Sequence, residues 1–412
     1  MPLTIQQIWE RYSHVEFVRR LFIKRLNEDG TYEADFTEIS QGLMRDGSVN
    51  RLQRSLPNNS WQFGKVIVNN ARLSILSPFQ EFASELDPNS IFKGFIRDRS
   101  IVKVEDSFID KYTDTSVREE ISTATFTGLL DSKTATTEQG HEEITALDFI
   151  TVLSNINVNE LTLVETTMNA LIFEIMNRVE FTKFFTVSSS TTFIDAGFNA
   201  TSIDVSVYDG TVLQMVEDLA KGHSIFFINP DDNTFYFQPI TPTASVQFSF
   251  LEDTNRKLKI SKFREGIDRL INKWYWKDTA ISSVSDPEPI NPRSETFDID
   301  GVTDAGQRQS LLDFVLSISE EAKPYFSLEL PYFPIISLLD RVVIQSFGSA
   351  PADAVRWGMF AWTSKSTTSP STAPRWRKPA GIRLSADDNW MVRSIIHDKK
   401  LKTTLQVEKI LP

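Results

Sequence analysis

Cysteine is absent from all 412 residues. That excludes a disulfide framework and any thiolate metal site, and it leaves the chain compatible with a reducing compartment. Long apolar runs are absent too, so no membrane span is expected. The opening stretch MPLTIQQIWERYSHVEF has no basic segment leading into an apolar core, so no secretory signal is expected. Without a secretion route, the acceptor patterns at Asn58-Asn59-Ser60 and Asn199-Ala200-Thr201 carry no weight. An excess of positive charge is also missing. The net charge of −12 repels nucleic acid and anionic membranes as a whole, and sequence-specific DNA binding needs a basic face. The same charge is compatible with DNA passing a wall that does not hold it.

The common catalytic patterns fail in turn. There is no GxSxG elbow, no HExxH and no GxGxxG. Gly301 and Gly306 have P-loop spacing, but Gln307 stands where a phosphate-binding Lys is required. The four histidines, His14, His141, His223 and His397, are far apart and read as surface or strand residues rather than ligands. Asp298-Ile299-Asp300-Gly301 opens like a calcium loop but lacks the remaining ligands at the required spacing, so it reads as a turn. Glu105/Asp106, Glu320/Glu321 and Asp387/Asp388 are adjacent carboxylates without the defined separation across a cleft that glycoside hydrolysis needs. No catalytic, cofactor-binding or metal-ligating residue is assigned, and the chain is not expected to be an enzyme.

What is present is alternation. A chain of this length is expected to hold two to four domains. Residues 1–155 read as mainly β, with a hairpin over Phe22–Phe36 turning at Asn27–Gly30 and strands near 66–76, 92–109 and 123–133. The segment ITALDFITVLSNI reads as a short helix on the sheet. Residues 156–240 change period. Leu163, Val164, Met168, Leu171, Ile172, Ile175 and Met176 form a helical stripe. A second helix is expected near Asp209–Lys221, with Ser206 and Asp209 as a capping pair and Gly222 as its stop. HSIFFINPDDNTFYFQP then reads as a hairpin turning at Asn229–Asn233. Residues 241–412 return to β, with strands at 270–277, 326–330 and 341–347, a helix near 307–321, and surface insertions near 282–325 and 348–381. The long Ser/Thr/Pro-rich insertion is of the length that is usually functional or disordered.

The chain closes with NWMVRSIIHDKKLKTTLQVEKIL, a hairpin around a charged turn. Trp390, Val392 and Ile396 fall on one side, and Arg393 and His397 on the other, with Met391 and Ile395 breaking the rule. In the second strand Leu405 and Val407 oppose Thr404, Gln406 and Glu408. One buried face and one polar face are expected, the polar one solvated as in most antiparallel sheets or turned to a partner. Arg375-Trp376-Arg377-Lys378 interleaves basic residues with an aromatic. Such a cluster binds phosphate or sugar, or docks on a neighbouring chain. One such cluster in an acidic chain is a weak electrostatic footprint for nucleic acid, which favours the neighbouring chain.

KPYFSLELPYFPIISLLDRVVI (Lys323 to Ile344) places a strand, Pro331 and Pro334, and Asp340 at the mouth of a second strand. With the closing NWMVRSIIHDKKLKTTLQVEKI, it resembles the end of the tail hub (baseplate hub) proteins of tailed phages. There a D-x-V-x-I strand precedes W-x-V-x-x-I-x-H-D and T-x-L-x-V. VYDGTVLQMVEDLAKGHSIFFINPDDNTFYFQP (Val207 to Pro239) is similar to the helix-plus-hairpin unit of that family, and FKGFIRDRS near residue 92 suits its first β domain. The long insertion departs from a minimal hub. The resemblance implies a mainly β fold with α+β insertions: two tail-tube-type β domains, 1–155 and 241–412, around a small α/β domain, 156–240. It implies a homotrimer whose six β domains form a pseudo-sixfold ring in the virion tail, made in the host cytoplasm. That ring meets tail tube or distal tail proteins on one side and a central spike or tail tip protein on the other, and lets DNA pass without specific binding. Arg375, Trp376, Arg377 and Lys378, together with Arg393, His397, Gln406 and Glu408, are the expected partner or lumen contacts. Two rival readings are a virion-associated enzyme degrading polysaccharide or peptidoglycan, and a host-receptor-binding module.

Overall fold

The computed structural model describes residues 15–39, 49–55, 70–76, 99–110, 120–136, 141–164, 166–192, 203–251, 258–264, 270–277, 279–285, 293–320, 323–345, 384, 388–398 and 402–410. The chain first lays down β1 (Val15–Lys24), β2 (Thr37–Glu38), β3 (Val49–Ser55), β4 (Asn70–Leu76), β5 (Ile101–Asp110), β6 (Glu120–Thr136) and β7 (His141–Asp148). It then leaves the sheet for helices α1 (Met168–Met176) and α2 (Val179–Thr182), strand β8 (Thr186–Thr192), helix α3 (Val212–Ala220) and the hairpin β9 (Ser224–Asn229) and β10 (Thr234–Pro239). It returns for β11 (Val246–Leu251) and β12 (Lys259–Arg264). A second excursion follows through β13 (Lys273–Trp276), β14 (Ser282–Val284), β15 (Ser294–Phe297) and helix α4 (Ala305–Ser319). The last strands are β16 (Tyr325–Pro331), β17 (Arg341–Gln345), β18 (Asn389–Asp398) and β19 (Lys402–Lys409). The fold is mainly β with α+β insertions, as expected.

The two β regions share one 13-stranded sheet in the order β12-β16-β19-β18-β3-β4-β7-β6-β5-β1-β2, with β17 and β11 branching from β18. The branch is a handover along one edge of β18. Asn389–Met391 pair with Val343–Arg341 of β17, and Ser394–Asp398 pair with Ser55–Arg51 of β3. Between the two lies Arg393, the extra residue where the register with β19 shifts from Val392↔Val407 to Ser394↔Gln406. A bulge re-aims the side chains that follow it. It therefore accounts for the break in alternation: Val392 and Ile395, of opposite parity, both join Trp390, Leu405, Val407, Phe326 and Leu328 in one core. Trp390 meets Phe326 edge-on at 4.7 Å between ring centroids.

Both excursions bury their apolar sides in a single core. Met168, Leu171, Ile172 and Ile175 of α1 and Met215, Val216 and Leu219 of α3 pack with Trp274, Trp276, Phe297, Leu311, Leu312 and Val315 of the second excursion. The boundary expected at 240/241 thus divides residues that pack together, and among the described residues of 282–325, Phe297, Ile299, Leu311 and Val315 are buried rather than at the surface. Sequence spacing hid this because two excursions separated by β11 and β12 read as separate events.

Local signals moved by a few residues. Helix α1 starts at Met168 because the Thr167 side chain accepts from Ala170 N–H, so Leu163 and Val164 precede it and Val164 is exposed. Helix α3 is capped by Thr211 and Gln214, not Ser206 and Asp209. Thr211 N–H donates to Gln214 Oε1 at 2.9 Å, while Ser206 is held by Asp204. Gly222, at φ +80, ends that helix as expected. The segment ITALDFITVLSNI splits into the end of β7 and a 3-10 turn over Phe149–Asn155, with Asp148 accepting from Ile150 N–H. The turn at Asn27–Gly30 forms, but β1 pairs ten residues with β5 and only Phe22 and Ile23 with β2. The apolar row Phe17, Leu21, Ile23 is longer than the returning arm can cover.

Candidate functional site

The row that β1 turns inward reads Phe17, Arg19, Leu21, Ile23, which places a guanidinium among core positions. Strand β5 answers from directly opposite. Asp106 faces Arg19 and Phe108 faces Phe17. Arg19 Nε donates to Asp106 Oδ1 at 2.7 Å and its Nη2 to Oδ2 at 3.2 Å. A third group arrives from the other half of the sheet. Tyr332, just past β16, donates its hydroxyl to Asp106 Oδ2 and accepts from Arg19 Nη2 at 2.6 Å. Tyr332 and Asp106 are both fully buried. Burial and the adjacent carboxylate hold the Tyr332 phenol protonated, well above its ordinary range. Burial works against the charge of Arg19, but Tyr332 and Asp106 outweigh it and its proton affinity is raised. Around this triad lie Phe17, 4.9 Å from the Tyr332 ring, and His397 of β18, 5.0 Å from it. His397 Nδ1 and Thr403 Oγ1 are 3.0 Å apart, and Thr403 Oγ1 accepts from Phe333 N–H at 2.8 Å. Asp106 accepts three hydrogen bonds from two internal residues. The cluster ties β1 and β5 to the segment after β16, joining two halves of the sheet.

The polar side of the closing hairpin is internal. Arg393 and Glu408 form a buried ion pair, and His397 is buried beside Tyr332. The expectation that these three side chains face a lumen or a neighbour is overturned. The reason is that β18 is covered on both faces, since Met391 packs on Ile225 of β9 and on Leu339. Gln406 is half-buried. Arg375, Trp376, Arg377 and Lys378 lie outside the described residues, as does His14. Of the histidines expected at the surface or in strands, His141 and His397 stand in β7 and β18, whereas His223 lies in the turn before β9. It is buried, and its pKa is pushed down to about 4 by that burial.

Two further contacts, both passed over in the sequence reading, fix the first excursion to the sheet and the two excursions to each other. At the turn between β9 and β10, the Asp231 carboxylate accepts from Ala124 N–H of β6 at 2.8 Å, and Thr127 donates to the Pro230 carbonyl at 2.8 Å. Ala124 lies at a register shift in the β5–β6 ladder, where a backbone donor is released. The calcium-like stretch serves as a clamp. Asp298 takes Lys221 at 3.1 Å and Lys277 at 3.3 Å, and Asp300 N–H donates to Asp218, which also accepts from Tyr208 at 2.9 Å. Among the described residues no group of three or more His, Asp or Glu is placed to hold a metal ion. No described helix is long and apolar enough to cross a membrane.

Asp340, the acid of the D-x-V-x-I stretch, sits where β17 and β18 meet the linker from β10. Its carboxylate accepts from Ser337 N–H at 2.7 Å, its carbonyl accepts from Val392 N–H, and Leu339 beside it holds φ +67. Burial pushes its pKa up to about 7.

No protein-family model matches this sequence, and no curated protein matches it. Solved structures do. The 43 kDa tail protein of prophage MuSo2 from Shewanella oneidensis is 12% identical with a TM-score of 0.51, the match covering 95% of this chain and 98% of that one. A tail protein from Neisseria meningitidis MC58 is 10% identical with a TM-score of 0.52, over 95% of this chain and 96% of that one. The likeness is one of fold, from end to end.

Two outcomes follow from the buried charges. Arg19→Met leaves Asp106 buried without its cation and is expected to cost about 3–5 kcal/mol in denaturant unfolding, whereas Arg19→Met with Asp106→Leu recovers most of that loss. Asp340 has a folded pKa above its ordinary value, so its ionisation opposes folding. Its contribution to stability is full below pH ~4 and is lost as pH rises through about 7. Asp340→Asn keeps the acceptor for Ser337 and is expected to stabilise the protein at pH 8 by on the order of 1–3 kcal/mol, with a much smaller gain at pH 4, read by thermal unfolding at both.

Proposed function

We propose that this chain is a structural hub protein of a phage tail, working through symmetric interfaces rather than catalysis. The observation that supports this reading is the fold likeness to two prophage and bacterial tail proteins, which runs over nearly the whole length of each chain. The internal architecture agrees with it. Two β halves joined by one strand give three copies six β modules, the number a hexameric tube presents. Three copies then close a pseudo-sixfold ring that meets tail tube or distal tail proteins on one side and a spike or tip protein on the other. An acidic chain lining such a passage repels DNA and lets it through without holding it.

The bridging carboxylates support a structural role in a second way. Asp106, Asp218 and Asp298 each bridge elements distant in sequence, so their charges are spent on internal donors. The test is native mass measurement with negative-stain imaging of the purified protein. The expected result is a trimer with a central hole, formed alone or on adding a tail partner. A monomer under all conditions and with all tail partners contradicts the reading and directs attention to a glycan-degrading activity.

A further inference from the structure

Three strands end the large sheet, β12, β2 and the branch strand β11, and the first two carry opposite charge. At one end β12 reads Lys-Ile-Ser-Lys-Phe-Arg, with three bases and no acid. Lys259, Lys262, Phe263 and Arg264 are all exposed there. At the other end, the stretch from Asn27 through β2 to Glu38 carries five acids and no base. Glu28, Asp29, Asp35 and Glu38 are exposed. Within the described residues each of these strands pairs on one side only, β12 with β16 and β2 with β1.

The basic edge is also shaped. Lys262 holds φ +54, and the register with β16 shifts between Ser261 and Arg264. A bulged, lysine-bearing edge resists indiscriminate strand addition. The same charges make it selective, because the surface that meets them at least cost is an acidic one. Lys259 lies 3.0 Å from Glu329, and that carboxylate is shared with Lys402, so these three side chains together keep a positive charge. Phe263, exposed beside the bases and stacked on Phe326 at 6.1 Å, adds an apolar contact at the same edge.

We propose that copies of this chain associate head to tail, the basic β12 edge of one against the acidic 27–38 edge of the next. Two different patches meeting in the same sense at every contact generate a ring when the rotation closes. The inference rests on the ring-forming role proposed above and assigns the contact on which that ring depends.

The test is charge reversal, read by native mass measurement at low and high salt. One variant carries Lys259→Glu, Lys262→Glu and Arg264→Glu; a second carries Glu28→Lys, Asp35→Lys and Glu38→Lys; a third carries all six. The expected result is an oligomer for the unaltered chain that weakens with salt, loss of it in each three-site variant, and its return in the six-site variant. The return also shows that the substituted edges still fold. Two results overturn the inference. If both three-site variants keep the unaltered chain's oligomer, the contact lies elsewhere and the hub reading stands. If the six-site variant stays dissociated, charge pairing between these edges is not the contact. An unaltered chain that is monomeric under all conditions removes both the inference and the hub reading.

Discussion

Strand β18 has no free side. One edge is taken by β19 along its length, and the other is divided between β17 and β3. One face packs on Phe326 and Leu405, and the other meets the excursions through Met391. A strand so enclosed must satisfy every backbone group by pairing, and it must switch partners without leaving a gap. The extra residue Arg393 solves both problems. It lets β17 leave and β3 enter, and Glu408 neutralises its charge. The rest of the architecture follows from this handover, because it makes one sheet of what would otherwise be two.

Buried charge is concentrated at that seam. Arg19, Asp106 and Tyr332 bridge the halves, Arg393 and Glu408 pair within the closing hairpin beside that joint, and Asp340 caps the turn before β17. Well-packed apolar residues of similar volume often serve stability as well or better. What a polar joint supplies is geometry: Asp106 accepts only from donors at set positions, so the halves meet in one register. That suits a protein whose proposed task is to present modules at fixed angles in a ring, where a small change in the seam is multiplied around the circle.

Much of the local structure was legible. The β9–β10 hairpin was read from its Asn229–Asn233 turn, helix α1 from its stripe, and the closing hairpin from alternation. The mainly β class and the helix-plus-hairpin unit also emerged. Pairings across hundreds of residues were not legible, because alternation gives a strand its faces but not its neighbours. Nothing in Val49–Ser55 names Ser394–Asp398 as its partner. The buried side of the hairpin was misread for a related reason: Arg393, His397 and Glu408 look solvated when only one half of the sheet is considered. The parity break at Met391 and Ile395 was the available signal. Two apolar residues on a supposedly polar face imply a bulge, a second covered face, or both, and here both apply. Arg19 and Asp106 gave no such signal, since a charged residue in an alternating strand is normally on its outer face.

The central claim is that the terminal hairpin makes the two β halves one cooperative body. Segment-resolved hydrogen exchange on Leu405→Ala tests it most directly. Leu405 is fully buried between β16 and β18, and its truncation is expected to remove about 2–5 kcal/mol. The account predicts that protected amides of β5 and β6, at the far end of the sheet, exchange faster by the same factor as those of β16 and β19. Wild-type protection in β5 and β6 alongside lost protection in β16 and β19 would mean that the halves open independently, and would contradict it.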